Sequence, residues 1–260
     1  MVLLLTVLCT LAAVFLYKLA PNDPNELHYD APLIAGTEQF PLGTDNMGRC
    51  MLSRLMYGGR ISVLMTWVTV LIKASVGCLI GIGAALSGKT GNNFLMRVTD
   101  LFMALPEMVC VIALIGIAGP GTFNAVFAMI LIGWTRYARL SNSLTQGVMG
   151  MEYITQARFA CVPQAAILFR YIIPNIYPQL LVCFTQDLGG SLLLFSSLSL
   201  LGLGPQPPVA EWGNMLSSGK KYMQTNPELM IYPGICILVF VILYNLLGDL
   251  LRDRFDLKHV

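Results

Sequence analysis

Six stretches of this sequence, 18 to 26 residues long, run almost without charge, and no other feature constrains the fold as much. They are Val2 to Ala20, Ile61 to Leu86, Phe94 to Ala118, Phe123 to Leu140, Ile176 to Leu201 and Ile231 to Leu250. About 20 apolar residues in a helix, rising ~1.5 Å each, cross the ~30 Å hydrocarbon core of a bilayer. In lipid each backbone N–H and C=O must be bonded within its own segment, so such runs fold as helices. The sequence therefore predicts an all-α membrane protein with six transmembrane helices. Composition agrees, with charged residues at 12%, apolar residues at 56% and a mean hydropathy of +0.69, where soluble domains carry about 25% charge. A net charge of +2 gives no basis for binding nucleic acid. The seven cysteines lack CxxC spacing and mostly sit in apolar runs, which predicts neither a disulfide framework nor a metal site. Cys50 alone reads as exposed.

The first run reads as a retained helix, residues 1–20. It has no basic n-region and no small-x-small cleavage site before Pro21-Asn22-Asp23-Pro24, as a signal peptide would. Six passes put both termini on one face. If that face is cytoplasmic it holds nine cations: Lys89, Arg97, Arg136, Arg139, Arg158, Arg170, Arg252, Arg254 and Lys258. The other face holds six: Lys18, Arg49, Arg54, Arg60, Lys220 and Lys221. The positive-inside tendency favours cytoplasmic ends. Two outer connections are long. Residues 21–60 contain turn chemistry at Gly43-Thr44-Asp45, then Met47, Met51, Leu52, Leu55 and Met56 at helical spacing, which predicts an interfacial helix. Gly202 to Met230 carries prolines and then a short helix from Glu211 to about Tyr222. Residues 61–260 form the five-helix remainder.

Lys73, Glu107 and Asp187 lie inside apolar runs. Facing lipid, each would cost about 2.5–3.5 kcal/mol at the bilayer centre, so each is expected to face the bundle or a water-filled path. Lys73 can pair with Glu107 or with Asp187, and structural pairing and a translocation path both stay open. Arg97 and Asp100 are spaced to pair within a turn. Trp134 and Tyr137 with Arg136 and Arg139 have the composition of a membrane interface. Gly83 to Thr90 matches the phosphate-binding pattern GxxxxGK[ST], but that chemistry needs a strand before it and a helix after it, and here the glycines end an apolar run. His28 and His259 fall in a loop and a tail, and fourteen methionines read as packing residues. No HExxH, GxSxG or other catalytic pattern is present, and only Glu107 with Asp187 could serve a membrane-embedded enzyme. An ion-coupled secondary transporter using Lys73, Glu107 or Asp187 is the alternative from another class, although no inverted repeat is visible.

Glu152 to Asn175, EYITQARFACVPQAAILFRYIIPN, does not fit the pattern of spans. Ile154, Ala157, Ala160 and Cys161 repeat at three and four, as do Ile167, Tyr171 and Pro174, with a break at Cys161-Val162-Pro163. That predicts two short amphipathic helices forming a docking surface, cytoplasmic in the orientation above.

This stretch resembles the cytoplasmic EAA loop, here about residues 141–175, of ABC-importer permeases: Glu152, Ala157, Ile167 and Ile173-Pro174 hold matching places. Gln156 stands where an alanine is usual and Cys161 where glycine is, and Pro163 offers another way to break the helix. PLGTDNMGRCMLSRLMYGGRIS (41–62), LSLLGLGPQPPVAEWGNML (198–216) and NLLGDLLRDRFD (245–256) resemble segments of the second permease of dipeptide, oligopeptide and nickel importers, with Cys50 in place of an aspartate. The resemblance implies the type I importer permease fold with cytoplasmic coupling helices, in a bacterial inner membrane with both termini cytoplasmic. It implies that Glu152, Tyr153, Ala157, Cys161, Pro163, Ile167 and Pro174 couple to an ATPase. It implies a heterodimer with a homologous permease, two ATPase subunits that bind ATP and Mg, and an extracytoplasmic binding protein docking near Asp45, Arg49, Arg54, Glu211 and Trp212. The chain itself then binds no cofactor and catalyses nothing. Asp187-Leu188-Gly189, and the lack of an acidic residue near Phe195, look more like nickel-type than peptide-type members.

Overall fold

The computed structural model describes residues 2–256; His259 and Lys258 lie outside them. The described residues form helices and no strands. In chain order the helices are α1 (Val2–Phe15, extended by a 3₁₀ turn, Leu16–Leu19), α2 (Met51–Leu86), α3 (Gly88–Met103), α4 (Glu107–Ala118), α5 (Thr122–Met149), α6 (Glu152–Phe159), α7 (Gln164–Ile167), α8 (Ile173–Leu200), α9 (Trp212–Gly219) and α10 (Glu228–Asp256).

Four helical stretches are long and apolar enough to cross a membrane: Val2–Leu19, Met51–Leu86, Gln164–Leu200 and Glu228–Phe255. A fifth candidate is broken. The run expected as one straight helix from Phe94 to Ala118 is instead α3 and α4, bent by 80° at Ala104-Leu105-Pro106. Pro106 lacks an N–H and cannot continue α3, so α4 restarts at Glu107. α5 is not among the four. Its second half carries Arg136, Arg139, Ser141, Asn142, Ser143, Thr145 and Gln146, and it is packed against α2, α3, α4 and α8. Its packed face buries Ala125, Ala128, Met129, Ile132 and Ala138, while Phe123, Phe127 and Leu131 stay exposed on the other.

α2 and α5 form the central pair. A Cβ on Gly77 would overlap the Trp134 carbonyl and Tyr137, and one on Gly81 would overlap Ser141 and the Ala138 carbonyl. Small residues thus let the two backbones approach closely. One core cluster joins Val63, Val70, Leu188, Leu192, Phe240 and Tyr244; a second joins Val111, Ile115, Met129 and Phe195; a third joins Val148, Ile154, Ile167, Ile172 and Ile176 beneath α6 and α7.

Three local features bear on the sequence reading. The separate interfacial helix merges into α2, which starts at Met51 and runs for 36 residues; Met47 stays in the loop before it. Gly83 to Thr90 forms the corner between α2 and α3, with Gly88 at φ 78°, a helix-to-helix turn and not the strand-to-helix loop that cradles phosphate. Between α7 and α8, Leu168–Ile172 winds as a π-helix. Pro174 cannot donate to Arg170 and its ring crowds that carbonyl, which accounts for the wider turn.

Candidate functional site

Three groups of residues gather the candidates read from the sequence. The first is a polar chain inside the bundle. Lys73 on α2 is 1% exposed, and its Nζ lies 3.0 Å from Glu107 Oε1 on α4 and donates to Ser191 Oγ on α8 at 3.2 Å. Ser191 Oγ in turn donates to Asp187 Oδ1 at 3.3 Å, and Tyr137 OH on α5 donates to Asp187 Oδ2 at 3.0 Å. Four helices are thereby cross-linked by one chain. Of the two expected pairings the structure forms Lys73–Glu107; Asp187 meets the lysine only through Ser191. Gly133 makes the arrangement possible, because a Cβ there would overlap the lysine side chain. The 80° bend brings the first turn of α4, and Glu107 with it, to the lysine. Glu107 keeps 43% of its side chain exposed, so the chain has one buried end and one end at the surface of the subunit. One expectation gives way here: Asp100 pairs with Arg139 on α5, not with Arg97, while Tyr137 is buried on Asp187.

The second group is the 20–50 loop with α9, the outer layer in the expected orientation, where the structure buries all five side chains that the sequence offered to a docking protein. Asp45 accepts from Arg49 Nε at 2.7 Å and from the N–H groups of Met47 and Arg49, closing a turn in which Gly48 has φ 75°. Arg54 Nε lies 3.6 Å from the same carboxylate, and its Nη1 donates to the Pro24 carbonyl at 2.9 Å. Glu211, fully buried, caps α9 by accepting from the N–H groups of Gly213 and Asn214 and from Ser62 Oγ. Burial pushes the Glu211 carboxyl up from its usual range, while these donors pull against the shift. Trp212 Nε1 donates to the Leu55 carbonyl. These contacts clamp the 20–50 loop and α9 onto α2. Cys50, expected to be exposed, is buried here, and Cys161 is the exposed cysteine. The clamp gives a stability prediction. Glu211→Ala leaves two backbone N–H groups and one hydroxyl without their acceptor and should cost about 2 kcal/mol or more, read as a lower unfolding midpoint in detergent. An unchanged midpoint would mean that the cap is replaced by solvent.

The third group is the α6–α7 hairpin. Glu152, in the first turn of α6, and Tyr153 are exposed, while Ile154 and Ala157 are buried; Ile154 joins the third core cluster and Ile167 closes it from α7. Asn175 Nδ2 donates to Tyr153 OH and to the Tyr171 carbonyl, tying the first helix to the start of α8. The turn keeps left-handed geometry without glycine. Cys161 has φ 57°, its N–H bonds the Arg158 carbonyl at 3.0 Å, and the Val162 N–H bonds the Ala157 carbonyl at 3.1 Å. This is a Schellman ending, a position glycine usually fills. Pro163 then provides the extended residue before α7. Left-handed geometry costs a side-chain-bearing residue roughly 1 kcal/mol or more. Cys161→Gly should therefore raise the unfolding midpoint with the hairpin unchanged; a lower midpoint would show that the thiol contributes packing that outweighs the strain.

Two exposed aromatics on this hairpin escaped the sequence reading: Phe159, 84% exposed at the end of α6, and Phe169, 69% exposed in the π segment. Phe159 lies off the Ile154 and Ala157 stripe, and that was the available signal.

Comparison with known proteins gives a consistent answer. The family model described as binding-protein-dependent transport system inner membrane component matches residues 77–258. The di/tripeptide transport system permease protein DppC of Pseudomonas aeruginosa is 35% identical over 262 residues, covering 98% of this chain and 86% of the relative. The nickel transport system permease protein NikC of Escherichia coli is 34% identical over 236 residues, covering 91% of this chain and 85% of the relative. Among solved structures, an inward-facing MetNI methionine ABC transporter chain superposes with a TM-score of 0.64 at 16% identity, covering 78% of this chain and 97% of that one. That last likeness is one of fold.

Proposed function

Because the chain belongs to the binding-protein-dependent transport system inner membrane component family, we propose that it is one permease subunit of an ATP-driven importer, forming half of a translocation path. The observation that carries this reading is the α6–α7 hairpin, a rigid helix pair with exposed Glu152, Tyr153 and Phe159 on a packed base. In the proposal α5 and the broken α3–α4 pair complete six passes. Both termini and the hairpin then face the cytoplasm, and the 20–50 loop and α9 face outward.

The hairpin would seat in a cleft of one of two ATPase subunits. Because α7, the π segment and α8 run on without a break, a push on the hairpin reaches Asp187 through one continuous element, and α5 carries it from the other limb. A second, homologous permease supplies the other half of the path, and an extracytoplasmic binding protein delivers the substrate. This chain does no chemistry; ATP and Mg belong to the ATPase partners, whose two states bias the permease by differential contact. Nickel or a metal chelate is the first substrate reading, from Asp187-Leu188-Gly189 and the nickel relative. Dipeptides or oligopeptides are the second, favoured by the di/tripeptide relative. An ion-coupled carrier has nothing among these relatives in its favour.

Purification of the tagged chain is expected to bring down ATPase and permease partners, and uptake into vesicles is expected to stop when ATP is depleted. Uptake that survives ATP depletion, with no ATPase copurifying, would sink the reading.

A further inference from the structure

Lys73 sits midway along the apolar run Ile61 to Leu86, six residues and ~9 Å beyond Trp67 on α2. Trp67 Nε1 donates to Tyr244 OH, which is 3.4 Å from the hydroxyl of Thr10, midway along the 18-residue span Val2–Leu19. The hydrocarbon extends about 15 Å to each side of the midplane, so Lys73 lies within it. Glu107 Oε1, 3.0 Å from Lys73 Nζ, shares that depth. Yet 43% of the Glu107 side chain is exposed at the surface of the subunit, and Leu105, Met108 and Val109 beside it are exposed as well. A carboxylate turned to lipid at that depth is strongly unfavourable, so this face meets water or protein.

The backbone points the same way by a separate route. The 80° break between α3 and α4 falls at Ala104-Leu105-Pro106, directly before Glu107. Among the described residues the N–H groups of Glu107 and Met108 have no acceptor, and no side chain caps α4. Open helix ends inside a bilayer persist only where they are covered by protein or line a water-filled cavity. Met103, the last residue of α3, lines a hollow of about 710 Å³ together with Gln179 and Gln186 of α8. A space with polar groups in its wall therefore adjoins the break.

The charges indicate what such a space would receive. The polar chain links one cation, Lys73, to two carboxylates, Glu107 directly and Asp187 through Ser191, and no other ion pair of the described residues reaches either acid. Glu107 Oε1 takes the lysine, and among the described residues nothing takes Oε2. Of the three charged members, Glu107 alone is exposed. We propose that Glu107 lines the water-filled path and that its Oε2 receives a positively charged group of the transported solute, with Lys73 fixing the carboxylate by its other oxygen. On the importer reading above, on which this step rests, the second permease closes the opposite wall, and the positive group is the ammonium of a peptide or a metal cation.

The test uses the complete transporter in detergent, freed of its tag, with three probes: alanyl-alanine, N-acetyl-alanyl-alanine and nickel chloride. Alanyl-alanine is expected to raise the unfolding midpoint where its N-acetyl form, which lacks the ammonium, does not. If nickel raises it and neither peptide does, the cation site stands with a metal as its source. Glu107→Gln, which keeps the size of the side chain, is expected to weaken binding of the effective cation by about tenfold and to slow its ATP-driven uptake. Equal shifts from the two peptides without one from nickel, no shift from any probe, or affinity and uptake unchanged in Glu107→Gln overturns the proposal. The comparison of the two peptides uses the unaltered chain, so a misfolded variant cannot obscure it. ATP-driven uptake by the unaltered transporter tests the importer reading separately: if it is absent while cations still bind, that reading falls and Glu107 remains a cation site.

Discussion

Phe159→Asp is expected to strip the ATPase subunits from the purified transporter and to end ATP-driven uptake, while the chain still inserts and keeps its unfolding midpoint. Phe159 has 84% of its surface exposed, and no core cluster claims it. An exposed phenyl ring on a rigid helix end is the kind of anchor that carries about 2–4 kcal/mol of an interface when it fills a socket. A carboxylate in that socket adds the cost of a desolvated charge, so the expected loss of affinity exceeds a thousandfold, ~4 kcal/mol. Glu152→Arg, on the same helix and equally solvated, reverses a charge and is expected to act in the same direction. Ala157→Glu should also end uptake, for a different reason. Ala157 is buried on the packed side of α6, so a carboxylate there opens the hairpin, and the unfolding midpoint should drop with it. Three variants with one loss of uptake and two midpoint behaviours separate a contact from its support. Retention of both ATPase and uptake in Phe159→Asp would remove the hairpin from the coupling role.

The contrast between Phe159 and Ala157 shows what the sequence could reveal. Periodicity identified Ile154 and Ala157, the buried stripe of α6, and the break after it, because apolar spacing reports which face packs; it also counted Ala160 and Cys161, which are exposed where the helix ends. It passed over Phe159 because an apolar residue off the stripe reads as incidental until its exposure is known. The outer layer failed in the opposite direction. Asp45, Arg49, Arg54 and Glu211 are charged, and charge in a polar loop was read as surface. Their partners are a turn around Gly48, the Pro24 carbonyl and Ser62, the last of these 149 residues from Glu211, and no local spacing encodes such a contact. Cys161 sits between these cases. Its departure from glycine was legible and its left-handed φ was not, because whether a side chain accepts that strain depends on the two hydrogen bonds and the proline that hold the turn. For α5, hydropathy marked a run that weakens in its polar second half, and the structure shows why that half is tolerated: Tyr137, Ser141, Asn142 and Thr145 are buried against neighbouring helices, while Phe123, Phe127 and Leu131 keep an exposed apolar face.

Lys73→Met is expected to lower stability by roughly 3 kcal/mol, because the lysine is the single cation in a chain whose other end is buried. Without it, Asp187 retains the Tyr137 and Ser191 hydroxyls but loses the positive charge that balances it across α2 and α8. Glu107→Gln should cost much less, about 1 kcal/mol or under, since 43% of that side chain is exposed and the amide keeps an oxygen that accepts from Lys73, whose charge Asp187 still faces through Ser191. The difference between the two variants follows from exposure, although both break the same 3.0 Å ion pair. Asp187→Asn added to Lys73→Met removes the unbalanced charge and should recover much of the loss, a coupling that unfolding midpoints of the two single variants and the double one would measure. Uptake then separates two roles that stability alone confounds. If the polar chain is only a strut between helices, the double variant transports once it is stable again. If Lys73 and Asp187 line the path, stability returns and uptake does not, and the second result is the one expected here. A Lys73→Met chain as stable as the original would show instead that the buried charges are solvated through a route from Glu107 inward.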